Sequence, residues 1–329
     1  MTLTGMMKQA IKNKNILSNI KDLPLEKKRE ILALLEELEE VKDRESCQTS
    51  FLPFVRSQWS SFIHGRHHEI MADAFERVAS GDLKRLIINM PPRHTKSEFA
   101  SYLFPAWFLG RYPNKKIIQT AHTAELSVGF GRKVRNLIQS TDYQKIFKGV
   151  ALSADSKAAG RWNTNKGGEY FAIGVGGAVT GKGADVLVID DPHSEQDATI
   201  GAYNPDVYDK VYEWYTSGPR QRLQPGGSII IVMTRWSKRD LTGQIIKNAT
   251  QREGSGEWEV IELPAIMPSG AALWEEFWKK EELLSLKAEL PISKWSAQYQ
   301  QDPTSEEGAL IKREWWQEWD KPNLPPCES

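Results

Sequence analysis

The chain predicts an α/β fold of the doubly wound type, with a mainly parallel sheet and helical additions at both ends. Short runs such as LIIN (86–89), LVID (187–190) and SIIIVM (228–233) are almost uniformly apolar rather than alternating, as in strands covered on both faces. Stretches with helical spacing lie between such runs, so the strands are joined by crossovers and run parallel. A length of 329 residues suits one large α/β domain with additions, or about two domains at roughly 150 residues each.

Taken in order, residues 25–41 (LEKKREILALLEELEEV) place Ile31, Leu34, Leu35, Leu38 and Val41 on one stripe between charged positions. That predicts an amphipathic helix packed on the main body, because the stripe is too short for an oligomerising coil. CQTSFLP (47–53) ends the helix, and a domain begins near Phe51. A helix over 69–79 leads into LKRLIINM (83–90), a Pro-rich turn and a helix from Lys96. KKIIQTA (115–121), a helix over 124–138, EYFAIGV (169–175), DVLVIDD (185–191) and GSIIIVMT (227–234) continue the alternation. Beyond about Glu257, Pro and Trp punctuate the chain, which predicts a helical appendage and no further strand. The closing NLPPCES (323–329) reads as the start of a linker. The expected division is a helical extension over 1–50, a core over 51–256 and the Trp-rich appendage over 257–329.

Composition excludes several classes. An apolar fraction of 40% with 43 basic against 43 acidic residues is that of a globular protein. Cys47 and Cys327 sit far apart without metal-ligand spacing, so neither a disulfide framework nor a zinc module is indicated, and a reducing cytoplasm is expected. The N-terminal MTLTGMMKQAIKNK lacks an apolar targeting core, and no run reaches the roughly 18 apolar residues of a spanning helix. Zero net charge conceals an asymmetry: residues 81–182 carry 16 Lys plus Arg against 6 Asp plus Glu, and residues 271–320 carry 6 against 11. A basic segment suits a polyanion, either nucleic acid or a phosphate ligand.

Three segments carry chemistry. In LIINMPPRHTKSEFASYLF (86–104) an apolar strand ends, a turn follows, and Lys96-Ser97 opens a helix. Backbone N–H groups at such a turn point toward an anion, a Lys there reaches β- and γ-phosphates, and a Ser hydroxyl completes a Mg²⁺ shell. Against G-x-x-x-x-G-K-[ST], residues 90–97 keep Lys96 and Ser97 but have Met90 and Thr95 where glycines belong, so an ordinary βα turn is the competing reading. In GADVLVIDDPHSE (183–195) a strand ends in paired carboxylates. There Asp190 suits the water shell of Mg²⁺, Asp191 suits an attacking water, and Glu195 is the reserve base. Alternatively Asp191-Pro192 only ends the strand and caps a turn. In SIIIVMTRWSKRD (228–240), Thr234 and Arg235 emerge on the same sheet edge, where a γ-phosphate is sensed in a nucleotide motor.

With these blocks in order, the chain resembles the large terminase subunits of tailed bacteriophages, over roughly residues 51–320. The carriers are HHEIMADAFERVASGDLKRLIINMPPRHTKSE (67–98), GGAVTGKGADVLVIDDPH (176–193), IIIVMTRWSKRDLTG (229–243) and AQYQQDPTSEEGALIKREWW (297–316). The resemblance implies a P-loop NTPase core of the ASCE/RecA-like type that hydrolyses ATP with Mg²⁺ and moves double-stranded DNA into a procapsid. It implies a portal protein and a small terminase subunit as partners, and a homo-oligomeric ring. The place implied is the cytoplasm of an infected bacterium, transiently at the portal.

By that likeness Pro92, Arg93, His94, Thr95, Lys96 and Ser97 form the phosphate loop, Asp190 is the magnesium carboxylate and Asp191 the acidic residue after it. The family usually has Gly at the position of Thr95 and often Glu at that of Asp191. Thr234 and Arg235 match its coupling block. His67 and His68, with Trp59 stacking, fall where an adenine contact is expected, or else they are helix-start residues facing solvent. Arg93, Arg161 and Lys182 are the candidates for stabilising charge on the transferring phosphoryl group. The family's C-terminal nuclease is not expected in this chain, and neither is DNA cleavage. Two rival readings are a metal-dependent hydrolase or nuclease built on Asp190, Asp191, His193 and Glu195, and a capsid- or portal-docking module using Trp315, Trp316 and Trp319.

Overall fold

The computed structural model describes residues 24–179, 181–201, 203–251 and 257–303. Its first element is α1 (Leu25–Thr49), followed by α2 (Phe51–Gln58) and α3 (Arg66–Ser80), which ends at Gly81 in the left-handed conformation at φ 90°. Helix α1 runs through the break expected at Cys47, because that residue is buried in the main core and its carbonyl accepts a hydrogen bond from Trp107 Nε1 at 3.0 Å. Its apolar stripe over Ile31, Leu34, Leu35, Leu38 and Val41 is half-buried.

Strand β1 (Arg85–Asn89) leads through the 90–97 turn into a π-helical segment, Glu98–Leu103, which continues as α4 (Phe104–Arg111). The wide turns have a cause: Pro105 has no N–H to close an ordinary helical bond, and the backbone shifts to the wider register, with Phe104 N bonded to Phe99 O. Then come β2 (Lys116–Ala121), α5 (Ala124–Ile138), α6 (Thr141–Ile146), β3 (Leu152–Ala158), β4 (Arg161–Thr164), β5 (Glu169–Gly174) and β6 (Ala184–Asp190). After β6 follow α7 (Glu195–Gly201), α8 (Asp206–Ser217), β7 (Leu223–Met233), α9 (Leu241–Gln251), β8 (Glu259–Glu262) and α10 (Lys280–Glu289).

One eight-stranded sheet has the order β3-β4-β5-β2-β6-β7-β1-β8. Every pairing from β5 to β8 is parallel, while β3 and β4 form an antiparallel edge. Alternate residues of the central strands feed two cores. Leu86, Ile88, Val186, Val188, Ile230 and Val232 pack against α2 to α6, and Ile87, Leu187, Ile189, Ile229 and Ile231 pack against α8 and α9. The α/β, doubly wound reading therefore holds.

The reading that no strand follows Glu257 is corrected, because β8 pairs with β1 over Leu86–Asn89 and Glu259–Glu262. Its few residues and half-burial leave a weak period signal, and Arg77 holds it in place through paired 2.6 Å bonds to Glu259. The segment after it forms a small cluster of Ala265, Ala272, Leu283 and Trp295. Trp315, Trp316 and Trp319 lie outside the described residues. No helix among the described residues is long and apolar enough to cross a membrane.

Candidate functional site

The sheet order separates β1 from β6 by the single strand β7, so the turns after all three strands open on one edge. In the first turn Arg93 and Thr95 are left-handed, at φ 62° and 70°. Left-handed residues in a loop that opens a helix turn backbone N–H groups into an anion-binding concavity. Thr95 thus adopts the backbone that glycine would take at that position, at about 1–2 kcal/mol for a residue with a Cβ.

Lys96 and Ser97 meet the acidic turn directly. Ser97 Oγ donates to Asp190 Oδ1 at 2.9 Å, and Lys96 Nζ lies 3.0 Å from Asp191 Oδ2. The adjacent carboxylates have different surroundings. Asp190 is 2% exposed and its second oxygen accepts from Ser101 Oγ at 2.7 Å, which in turn accepts from Gln119 Nε2 at 2.9 Å. Burial, and then the neighbouring Asp191, push the Asp190 carboxyl well above the ordinary carboxylate range. Asp191 is half-buried and left-handed at φ 39°, and its Oδ1 accepts from Thr234 N at 2.8 Å. Thr234 Oγ1 also donates to Met90 O at 3.2 Å, tying the end of β7 to the start of the first turn.

Of the other residues singled out from the sequence, Glu195 stands apart, exposed at the start of α7 with Lys294 3.2 Å away. Arg93 is exposed in the turn itself. Arg161 and Lys182 both reach Glu169 at the start of β5, the end of the parallel strands away from Asp190, so neither joins Lys96 within this chain. Arg235 is 6% exposed and occupied: its Nε lies 3.0 Å from Asp240 Oδ2, and Asp240 also accepts backbone N–H groups of Trp236, Ser237 and Gly243.

His67 and His68 face inward with no exposed surface, which corrects the solvent-facing expectation for them. Their rings lie 3.8 Å apart at an interplanar angle of 39°, and His68 stacks on Phe99 at 4.8 Å. Trp274, from beyond Glu257, closes over them, at 5.3 Å from His67. Trp59 packs on Phe62. In the turn, His94 Nδ1 bonds Pro92 O at 2.8 Å, and its ring stacks over Trp278 at 6.1 Å.

Sequence reasoning missed Ser101, Gln119 and Asp240. Ser101 had a signal, standing four residues after Ser97 and so on the same helical face. Gln119, a polar residue inside an apolar strand, was another. The rival cluster does not assemble: His193 Nε2 accepts from Leu241 N at 2.9 Å, Glu195 turns to Lys294, and among the described residues no group of three or more His, Cys, Asp or Glu is placed to hold a metal.

No family model matches the chain, and no curated protein matches it in sequence. Solved structures that it is similar to include the large terminase of bacteriophage HK97, with 11% identity and a TM-score of 0.42 over 70% of this chain and 49% of that one. Another is the large terminase ATPase domain of Thermus phage P74-26, with 11% identity and a TM-score of 0.44 over 76% and 97% of the two chains. A third is the large terminase of a thermophilic bacteriophage in complex with ADP, with 8% identity and a TM-score of 0.40 over 68% and 51%. The matched region thus covers about half the length of the HK97 protein.

Proposed function

We propose that this chain is a P-loop ATPase of the phage DNA-packaging type, binding MgATP at the edge formed by β1, β6 and β7 and coupling its hydrolysis to movement of double-stranded DNA. The observation that carries the reading is the convergence of Lys96 and Ser97 on Asp190 and Asp191, residues some ninety positions apart in sequence, within 3.0 Å. A hydroxyl and a carboxylate oxygen 2.9 Å apart are the hard oxygen donors that Mg²⁺ takes. Ser97 and Asp190 would hold Mg²⁺, which neutralises charge on the β- and γ-phosphate oxygens.

The remaining work falls to side chains of the chain. An arriving polyphosphate draws Lys96 Nζ away from Asp191, and the concave turn over Pro92 to Ser97 cradles the phosphates. Asp191, held by the Thr234 N–H, then accepts the proton of a water whose oxygen attacks the γ-phosphorus, while ADP leaves with the bridging oxygen. Asp191 is preferred to Glu195 as this base because only Asp191 contacts Lys96. Thr234 touches both turns and is suited to relay the change along β7. Arg93 stabilises charge from within the loop, and Arg161 is the residue offered to a neighbouring subunit. Duplex DNA, a portal protein, a small terminase subunit and a ring of copies belong to the same proposal, as does the host cytoplasm. DNA contacts would go to phosphates and weaken steeply as salt rises.

The test is steady-state ATP hydrolysis with and without duplex DNA, for the wild type and Asp190→Ala. Hydrolysis that depends on Asp190 and is stimulated by DNA is expected; turnover unchanged in Asp190→Ala would sink the assignment.

A further inference from the structure

The phosphate turn has a threonine in a backbone conformation suited to glycine, and the structure supplies a specific anchor for it. Gly65 N–H donates to His68 Nδ1 at 2.8 Å, and His68 Nε2 lies 2.8 Å from Thr95 Oγ1. Because Nδ1 is an acceptor, the proton of a neutral ring sits on Nε2, which donates to the threonine oxygen. The threonine's own proton goes to His94 O. Every proton in the relay is thereby placed: Gly65 N–H to His68, His68 N–H to Thr95, Thr95 O–H to the carbonyl before it.

The ring cannot drift out of this arrangement. His68 is fully buried between Phe99 and His67. Gly65 must lack a side chain, since a Cβ there would stand 2.6 Å from Trp274 and 2.9 Å from the His67 ring. Burial also disfavours the charged imidazole, keeping the single-proton tautomer that the relay needs.

We propose that His68 is a positioning residue for the phosphate turn: its Nε2–H holds the Thr95 hydroxyl and so keeps Thr95 left-handed, in the conformation that presents Lys96 and the loop amides to a nucleotide polyphosphate. The inference rests on the reading of 90–97 as a phosphate loop. It makes the histidine and the threonine a matched pair, because glycine at 95 reaches the same φ unaided and leaves His68 nothing to hold.

The test is a double-mutant cycle on the full chain, reading the affinity for a non-hydrolysable MgATP analogue, the KM for ATP and the melting temperature. His68→Phe keeps the ring packing and removes the donor, and is expected to weaken nucleotide affinity about tenfold. Made together with Thr95→Gly, the same change is expected to cost less than about twofold relative to Thr95→Gly alone. A loss of equal size in both backgrounds would show that His68 only packs, and overturns the proposal. If His68→Phe does not fold, Thr95→Val decides: it keeps the branched shape, removes the hydroxyl and is expected to raise KM about tenfold, with Thr95→Ser recovering most of that loss. An unchanged KM in Thr95→Val overturns the proposal. Wild-type nucleotide binding that survives Lys96→Ala overturns the phosphate-loop reading itself and this inference with it.

Discussion

The turn after β1 and the turn after β6 face each other, and each carries left-handed backbone at residues other than glycine, Arg93 and Thr95 in the first and Asp191 in the second, yet they are held in place differently. The first is braced from beneath by a dry aromatic bed, with His68 on the Thr95 hydroxyl and His94 stacked over Trp278. The second is braced by strand ends and charge, with Asp191 fixed by the Thr234 N–H and Lys96 and Asp190 fixed by Ser97 and Ser101. A turn braced by buried neutral rings is sensitive to acid. One braced by carboxylates is sensitive to loss of single polar partners. The two then share Lys96 and Ser97, so a change in either is transmitted to the other.

The largest effect separates shared from private groups. Lys96→Ala, which removes the bridge between the turns, is expected to lower kcat for ATP by at least about a thousandfold with the circular dichroism spectrum retained. Near-normal turnover would break the comparison outright. Next is the choice of base. Asp191→Asn is expected to lower kcat by about a hundredfold while nucleotide binding persists, and Glu195→Gln by less than about twofold, measured by single-turnover hydrolysis. The reverse order would place the chemistry outside the paired turns.

Acid sharpens the comparison from the side of the rings. Burial lowers His67 from 6.5 to about 3 and His94 from 6.5 to about 4. Their folded values lie below the unfolded ones, so the stability of the neutral rings is complete above pH 6.5 and declines as the unfolded chain gains protons. The loss accumulates at about 1.4 kcal/mol per ring per pH unit until the folded values are reached. Urea midpoints measured from pH 7 to pH 5 should fall steadily, and less steeply in His94→Phe. Asp190, raised in the folded state, contributes with the opposite sign over this range, so the difference between the two slopes is what counts: equal slopes in wild type and His94→Phe would mean that the His94 ring is hydrated rather than dry. The smallest effect is expected on the acidic side. Ser101→Ala leaves Asp190 Oδ2 without its donor, and should raise the Mg²⁺ concentration for half-maximal hydrolysis several-fold, at a cost of about 1–3 kcal/mol in stability.

Much of this was readable before folding. Uniformly apolar runs ending in Asn89, Asp190 and Met233 located the three strands that carry the site, and helix α5 begins and ends where its spacing said it should. What escaped was short or partnered at a distance. Strands β3 and β4 form a polar hairpin on the sheet edge, and β8 has only four residues, three half-buried and Glu262 exposed, so neither gives a strong period signal. His67 and His68 look like a charged, solvent-facing helix start. Phe62 and Phe99, with Trp274 some two hundred residues later, turn them into core.

Residue order determined which groups stand at the strand ends, because a strand's length and the turn after it fix where Lys96, Asp190 and Thr234 emerge, and the parallel sheet order then brought those ends to one edge. The tertiary structure decided which oxygen meets which donor. It made Asp191 rather than Glu195 the partner of Lys96, and gave Thr95 the histidine that suits its strained backbone. The reason is range: backbone geometry is set by neighbours in sequence, whereas burial, and with it hydrogen bonding and proton affinity, depends on segments that meet only when the chain is packed.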